Sequence, residues 1–192
     1  MEKLVYGVGI NDGKYPTKVN GLRTKEYSLW TSMLERCYNK KFHTMHPTYL
    51  GCKVSDNFKQ YSYFHEWCQN QIGFGNVDFQ LDKDLLHKGN KIYSEDNCIF
   101  IPKHINGLII KNKAIRGLLP IGVTKNKEGF QAQCSYNGKR KALGTFTTPE
   151  LAFNTYKAFK EAHIKELAEK YKTTIDPRAY QALLNYEVSI DD

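Results

Sequence analysis

The sequence predicts an α+β protein in which an N-terminal helical segment and a strand–loop–strand–helix unit precede a small three-stranded antiparallel sheet with a packed helix. Three observations carry this. Apolar residues recur at three- and four-residue steps in two separate stretches, Tyr27, Trp30, Leu34 and Cys37 in one and Leu151 through Ala168 in the other. Apolar and polar residues alternate over 130–136, a run that ends in the hairpin dipeptide Asn137-Gly138. Finally, 192 residues with 41% hydrophobic and 13% aromatic content supply a core for one compact domain or two small ones, which excludes wholesale disorder.

The elements follow in order. Residues 6–22 carry Gly7, Gly9, Gly13, Pro16 and Gly21 and are expected to be loop with at most a short strand. The first helix is expected from Thr24 to about Asn39. A polar loop over 40–52 follows, around Pro47 and Gly51. A second helix starts at Asp56 or Asn57, with Phe58, Tyr61, Phe64 and Cys68 as its apolar stripe, and runs to Gly73. Residues 77–86 read as a strand, 88–91 as a loop and 98–101 as a second strand. Pro102 then suits the first position of a helix containing His104, Asn106, Leu108 and Ile109. After a basic linker at 112–116, strands are expected over 121–124, 130–136 and 140–146. Pro149 opens a long helix to Tyr171, and 180–184 adds a helical turn in a C-terminal tail, 173–192.

Charge and cysteine usage narrow the function classes. The formal net charge is +8, and residues 103–172 alone hold 14 Lys and Arg against 5 Asp and Glu, so the positive excess sits in one stretch and points to a polyanionic partner. The five cysteines are widely spaced with no C-x-x-C pair, which argues against a disulfide framework or a zinc ribbon and for a reduced, cytoplasmic setting. Cys37, His43, His46 and Cys52 do not have a familiar finger spacing. No run of 18 apolar residues and no apolar leader occurs, so neither a membrane partner nor secretion is expected. No glycine-rich phosphate loop or nucleophile elbow occurs, and no small-molecule cofactor is expected. A monomer is expected.

Within 77–111 the order of polar residues invites a chemical reading. A strand–loop–strand–helix unit can aim one carboxylate from its first strand and one polar group from its helix at the same small volume. Hard divalent ions take oxygen ligands and keep several waters, so Asp82 with the amide oxygen of Asn106 suits such an ion, and Asn97 lies where an amide can tie the loop. Taken singly, Asp82, Lys83 and Asp84 also suit a solvated strand edge, and the two asparagines ordinary turn and helix positions.

This arrangement resembles the HNH, or His-Me finger, endonucleases, in particular the phage homing-endonuclease branch whose metal ligands are Asp and Asn. The resemblance implies a ββα-metal motif at 77–111 within a nuclease domain at 1–111. It places Asp82 and Asn106 on the metal, which would be magnesium or manganese, and Asn97 at the central Asn. Lys83 falls where the family has its general-base His. A lysine is a poor proton acceptor at neutral pH, so three outcomes stay open. Lys83 acts as a base or clamps the phosphate, His87 takes the role from the loop, or the site is inactive.

The segment 117–172 carries a second pattern: Gly122-Val123-Thr124, Gly129-Phe130-Gln131-Ala132-Gln133, Asn137-Gly138-Lys139-Arg140, Leu143-Gly144-Thr145-Phe146, then Ala152-Phe153 and Tyr156. It resembles the APETALA-two/ethylene-response-factor DNA-binding domain, a family that lays a three-stranded sheet in the major groove with a helix packed behind. Strand alternation puts Phe130, Ala132, Cys134 and Tyr136 on one face and Gln131, Gln133 and Ser135 on the other. Gln pairs with adenine and Arg with guanine, so Gln131, Gln133 and Arg140 are the expected base readers. Lys125, Lys127, Lys139 and Lys141 are expected at phosphates. Ala142 stands where plant members often have a base-packing Trp. In the N-terminal helical part, Arg23, Lys25, Lys40 and Lys41 are further cations for backbone phosphate.

The expectation from these residues and resemblances is a cytoplasmic, metal-dependent endonuclease of the homing type that hydrolyses phosphodiester bonds in double-stranded DNA, in the bacterial host's cytoplasm if it is phage-encoded. The alternative is a catalytically inactive, nuclease-derived DNA-binding or regulatory protein.

Overall fold

The computed structural model describes residues 4–110, 118–190 and 192. They are a mixture of α and β with small sheets, in two compact units, Met1–Ile101 and Pro102–Asp192. The expected linker at 112–116 lies outside the described residues.

In the first unit, β1 (Lys18–Val19) and β2 (Leu22–Arg23) form an antiparallel hairpin, turned by Asn20 and Gly21 at positive φ. Helix α1 (Lys25–Tyr38) is capped by Thr24, whose hydroxyl accepts the Tyr27 N–H at 3.3 Å. It buries Trp30, Met33, Leu34 and Cys37, and the Trp30 indole N–H donates to the Phe58 carbonyl at 2.8 Å. The polar stretch expected to be loop instead forms a short helix, α2 (Lys40–Met45). The reason is local: Asn39 ends α1 and its side-chain oxygen accepts the Lys41 N–H, so one residue closes one helix and opens the next.

The second expected helix is interrupted. A 3₁₀ turn, Asn57–Lys59, is followed by α3 (Tyr61–Gln69), with Gln60 extended between them. The N-terminal segment competes for this backbone: the Ile10 N–H donates to the Lys59 carbonyl and the Tyr61 N–H to the Ile10 carbonyl, both at 2.9 Å. Around the break, Trp30, Leu34, Phe58, Tyr61 and Phe64 are fully buried and make the core of this unit.

β3 (Lys53–Val54) pairs in parallel with β5 (Ile92–Tyr93). β4 (Phe79–Asp82) pairs with β6 (Ile99–Pro102), which leads directly into α4 (Lys103–Ile109). β4 is shorter than the expected 77–86 because the Asp82 carboxylate turns the chain, as described below. Pro102 precedes the first turn of α4 instead of standing in it.

In the second unit, β7 (Val123–Asn126), β8 (Gly129–Tyr136) and β9 (Lys139–Phe146) form an antiparallel sheet in the order 7-8-9. Helix α5 (Pro149–Tyr171), capped by Thr148, occupies the range the sequence predicts. Ala152, Phe153 and Tyr156 of α5 meet Ile121, Val123, Ala132 and Cys134 in one core. Gly122 sits at φ +78°, and a side chain there would overlap the Tyr156 ring.

Two boundaries differ from the sequence reading. Helix α4, assigned there to the nuclease domain 1–111, groups with the second unit, where Leu108 packs on the sheet–helix core and the Tyr186 hydroxyl donates to the Ile109 carbonyl at 3.4 Å. The tail 173–192 is an integral part of the same unit. It contains α6 (Pro177–Leu184), capped by Asp176, and it adds Val188 to the core. The Val188 N–H donates to Glu161 at 2.8 Å, which fastens the tail to α5.

Candidate functional site

Two groups of residues carry chemistry, one in each unit. The first is built on the turn after β4. Asp82 is buried, and its Oδ1 accepts the N–H groups of Asp84 at 3.0 Å and Leu85 at 2.7 Å, an Asx-type turn that ends the strand. Burial pushes its carboxyl above the usual carboxylate range. The Leu85 N–H opposes that rise, and the nearby Asp84 adds to it.

Lys83 is also buried. Its Nζ donates to Asp84 Oδ1 at 2.5 Å and to the Asn90 carbonyl at 3.0 Å, and it lies 5.5 Å from the Tyr93 ring centre. The ammonium is thus tied into the loop it precedes. Its partner Asp84 faces solvent. His87 stands exposed in that loop.

Asn97 donates through Nδ2 to the Ile92 carbonyl at 3.2 Å and to Asn90 Oδ1 at 3.4 Å. Asn90, which the sequence reading passed over as ordinary loop, is the knot of the segment. Its amide donates to the carbonyls of Lys83 (2.7 Å) and Ile92 (2.8 Å), and its Oδ1 accepts the Ile92 N–H (2.9 Å). The only signal for it in the sequence is the Gly89-Asn90 turn pair. Asn106 stands on α4, in the second unit. Among the described residues no group of three or more His, Cys, Asp or Glu gathers as a metal cluster. Cys37 and Cys98 are buried thiols, each pushed up to about 12 by burial, which removes them as nucleophiles at neutral pH.

The second group lies on the sheet of the second unit. The strand register sorts it by face. Thr124, Gln131 and Thr145 form one cross-strand row, Gln133 and Ala142 the next, Ser135 and Arg140 the third. These point away from the face that carries the buried Val123, Ala132 and Cys134. The row between Gln131 and Gln133 is kept in step by a bulge: Ala132 faces Gly144 while Gln133 faces Ala142, so Leu143 is the extra residue and turns toward the core. Gln133 donates to the Thr124 hydroxyl at 3.3 Å and Asn126 to that of Thr145 at 3.5 Å, which aligns the amides along the sheet. Asn126, Thr124 and Thr145 were missed by the sequence reading, because the register of β7 and β9 decides their face.

The lysines divide differently. Lys139 pairs with Tyr136, Lys141 with Cys134 and Lys125 with Phe130, which puts all three on the helix side of the sheet. Lys141 Nζ lies 5.0 Å from the Tyr136 ring centre and 4.8 Å from that of Phe159 on α5. Lys127 sits in the β7–β8 turn. All four are exposed at the rim. Among the described residues Arg140 is the single cation on the outward sheet face. Elsewhere, Lys25, expected at phosphate, instead donates to the carbonyls of Phe74 and Asn76.

No protein-family model, no curated protein and no solved structure matches this chain. Among the described residues no helix is long and apolar enough to cross a membrane.

Proposed function

We propose that the protein acts on double-stranded DNA as a metal-dependent endonuclease, with the first unit supplying the hydrolytic residues and the sheet of the second unit gripping the duplex. The observation that carries the reading is the buried Asp82 carboxylate at the end of β4, a strand paired with the β6 strand that runs directly into α4. This order, a strand whose partner runs into a helix, supports the HNH reading.

The residues present fit a hard cation. Asp82 is an oxygen donor whose charge is disfavoured by burial and by Asp84, a cost that a bound ion relieves, and magnesium needs only one or two carboxylates beside water. Such an ion supplies charge stabilisation at the phosphate and the leaving oxygen. Asp82 is the ligand that the first unit supplies. The two backbone N–H groups on Oδ1 fix the orientation of Asp82 and leave Oδ2 for the ion. Asn90 and Asn97 hold the loop between the strands. His87, exposed in that loop, is the group that accepts a proton from water, since Lys83 is committed to Asp84. The outward row of Gln131, Gln133, Ser135 and Arg140 reads base edges, and the rim lysines meet phosphates.

That same Lys83–Asp84 pair favours a second reading, a DNA-binding protein built on an inactive nuclease. Nicking of supercoiled plasmid in magnesium separates the two. Wild-type nicking that is lost in Asp82→Asn, with duplex binding retained, is the expected result. Equal inertness of both proteins with duplex binding intact gives the second reading.

A further inference from the structure

The β1–β2 hairpin presents an exposed apolar pair beside an exposed cationic pair. Val19 and Leu22 are cross-strand partners beside the Asn20-Gly21 turn, and they are 54% and 76% exposed. The next pair, Lys18 and Arg23, places two exposed cations directly opposite each other. Like charges in that position destabilise a hairpin unless an anion lies beside them. Between Gly13 and Lys25 the chain carries Lys14, Lys18, Arg23 and Lys25 and no carboxylate. Of these, Lys14 is paired with Glu66 and Lys25 with backbone carbonyls, so the cationic pair at the hairpin is Lys18 and Arg23.

An isolated two-stranded hairpin is marginal in water, and this one is fastened at its base. The Thr24 N–H donates to the Thr17 carbonyl at 3.1 Å. The buried Tyr61 hydroxyl donates to the Pro16 carbonyl at 3.2 Å and meets the Thr24 hydroxyl at 3.3 Å. The Arg23 guanidinium lies 5.8 Å from the Tyr27 ring centre. The tip is therefore a braced apolar pair with a cationic pair behind it. That combination matches proteins which insert an apolar side chain between base steps from the minor groove and hold the flanking phosphates with cations.

We infer that the β1–β2 hairpin is a duplex wedge: Leu22, backed by Val19, enters between base pairs while Lys18 and Arg23 take the adjacent phosphates. The inference rests on the duplex-DNA reading above and assigns the first unit its own contact with the double helix. The alternative occupant of an apolar and cationic tip is an anionic lipid surface.

The test uses the full chain and duplexes carrying 2-aminopurine, whose fluorescence rises when a base step unstacks. Wild-type binding is expected to raise the signal. Leu22→Ser is expected to abolish the rise and to weaken binding on the order of tenfold, the scale of losing one buried apolar side chain. Lys18→Gln with Arg23→Gln is expected to lower the slope of log affinity against log salt by about 2, near 0.9 per phosphate. All four positions are exposed, so circular dichroism should report unchanged folding. Duplex binding by wild type without a fluorescence rise, and without change in Leu22→Ser, overturns the wedge and leaves the DNA reading standing. Absence of duplex binding by wild type at low salt overturns both. Leu22-dependent binding to vesicles of anionic phospholipid with no 2-aminopurine response gives the hairpin to a lipid surface and also overturns the wedge.

Discussion

Arg140 and Lys141 are neighbours in sequence, and the register of β8 and β9 sends them to opposite faces, which makes them a sharp test of the proposed reading surface. Arg140 shares its side with Gln131 and Gln133, whereas Lys141 lies over the Tyr136 and Phe159 rings on the helix side. A bidentate base contact discriminates by about 1–3 kcal/mol, so Arg140→Ala should weaken a preferred duplex by about 5- to 150-fold while barely touching a random one. Lys141→Ala removes two cation–π contacts at an exposed site, on the order of 1 kcal/mol of folding stability, and leaves sequence preference intact. The preferred duplex is first selected from a random pool with wild type. Affinities for selected and scrambled duplexes are then measured by fluorescence anisotropy at several salt concentrations, with thermal melts alongside. If Lys141→Ala relaxes preference as much as Arg140→Ala, the face assignment drawn from the register is wrong.

Other outcomes follow from the same structure. In the Lys83–Asp84 pair the lysine side chain is 7% exposed and the aspartate 56%, so removing either partner is not equivalent. Asp84→Asn leaves a buried ammonium with a weakened partner and should cost about 2–3 kcal/mol. Lys83→Met strands a carboxylate already in water and should cost less, as urea unfolding would report; the reverse order refutes the ion-pair account. Gly122→Ala combines a left-handed backbone with overlap of the buried Tyr156 ring. It should cost about 3 kcal/mol, or a drop of at least about 10 °C in Tm, and a neutral result would mean that Tyr156 is not held where the core places it. Burial raises the Glu161 carboxyl, but the Val188 N–H and Lys157 more than offset it, so its folded value is depressed. Its stabilisation is then complete above the ordinary carboxylate range and is lost as pH falls through that range to the folded value. Glu161→Gln should lower Tm at pH 7, and the gap to wild type should narrow as pH falls below the ordinary carboxylate range.

The sheet–helix unit was the most legible part of the chain, because alternation over 130–136, the Asn137-Gly138 turn and the period of 149–171 are local signals that the core then reinforces. What escaped was set by partners distant in sequence. The break at Gln60 comes from Ile10 pairing with the backbone of Lys59 and Tyr61. The tail became part of a core because Val188 fills it and Glu161 clasps it. In the candidate site the residue types were readable and their ties were not. Asp82, Lys83 and Asn97 stood out by spacing, while Asn90, which bonds the backbone of Lys83 and Ile92 and meets Asn97, looked like any loop asparagine.

Asp82 does two jobs with two oxygens, and this decides how its role has to be tested. Oδ1 holds the turn through the N–H groups of Asp84 and Leu85; the charge and Oδ2 remain for a cation. Asp82→Ala removes both jobs at once, so a loss of nicking in that variant could come from an unfastened loop carrying His87 out of place. Asp82→Asn keeps an oxygen for the turn and removes the charge, and at this buried position it also relieves the repulsion from Asp84. If the carboxylate is a metal ligand, Asp82→Asn should melt at or above the wild-type temperature while losing magnesium-dependent nicking by about a hundredfold or more. If Asp82 serves the turn alone, Asp82→Asn should nick like wild type and only Asp82→Ala should fail. A variant that gains stability and loses hydrolysis therefore marks a charge kept for binding a cation, and that pattern cannot arise from damage to the fold.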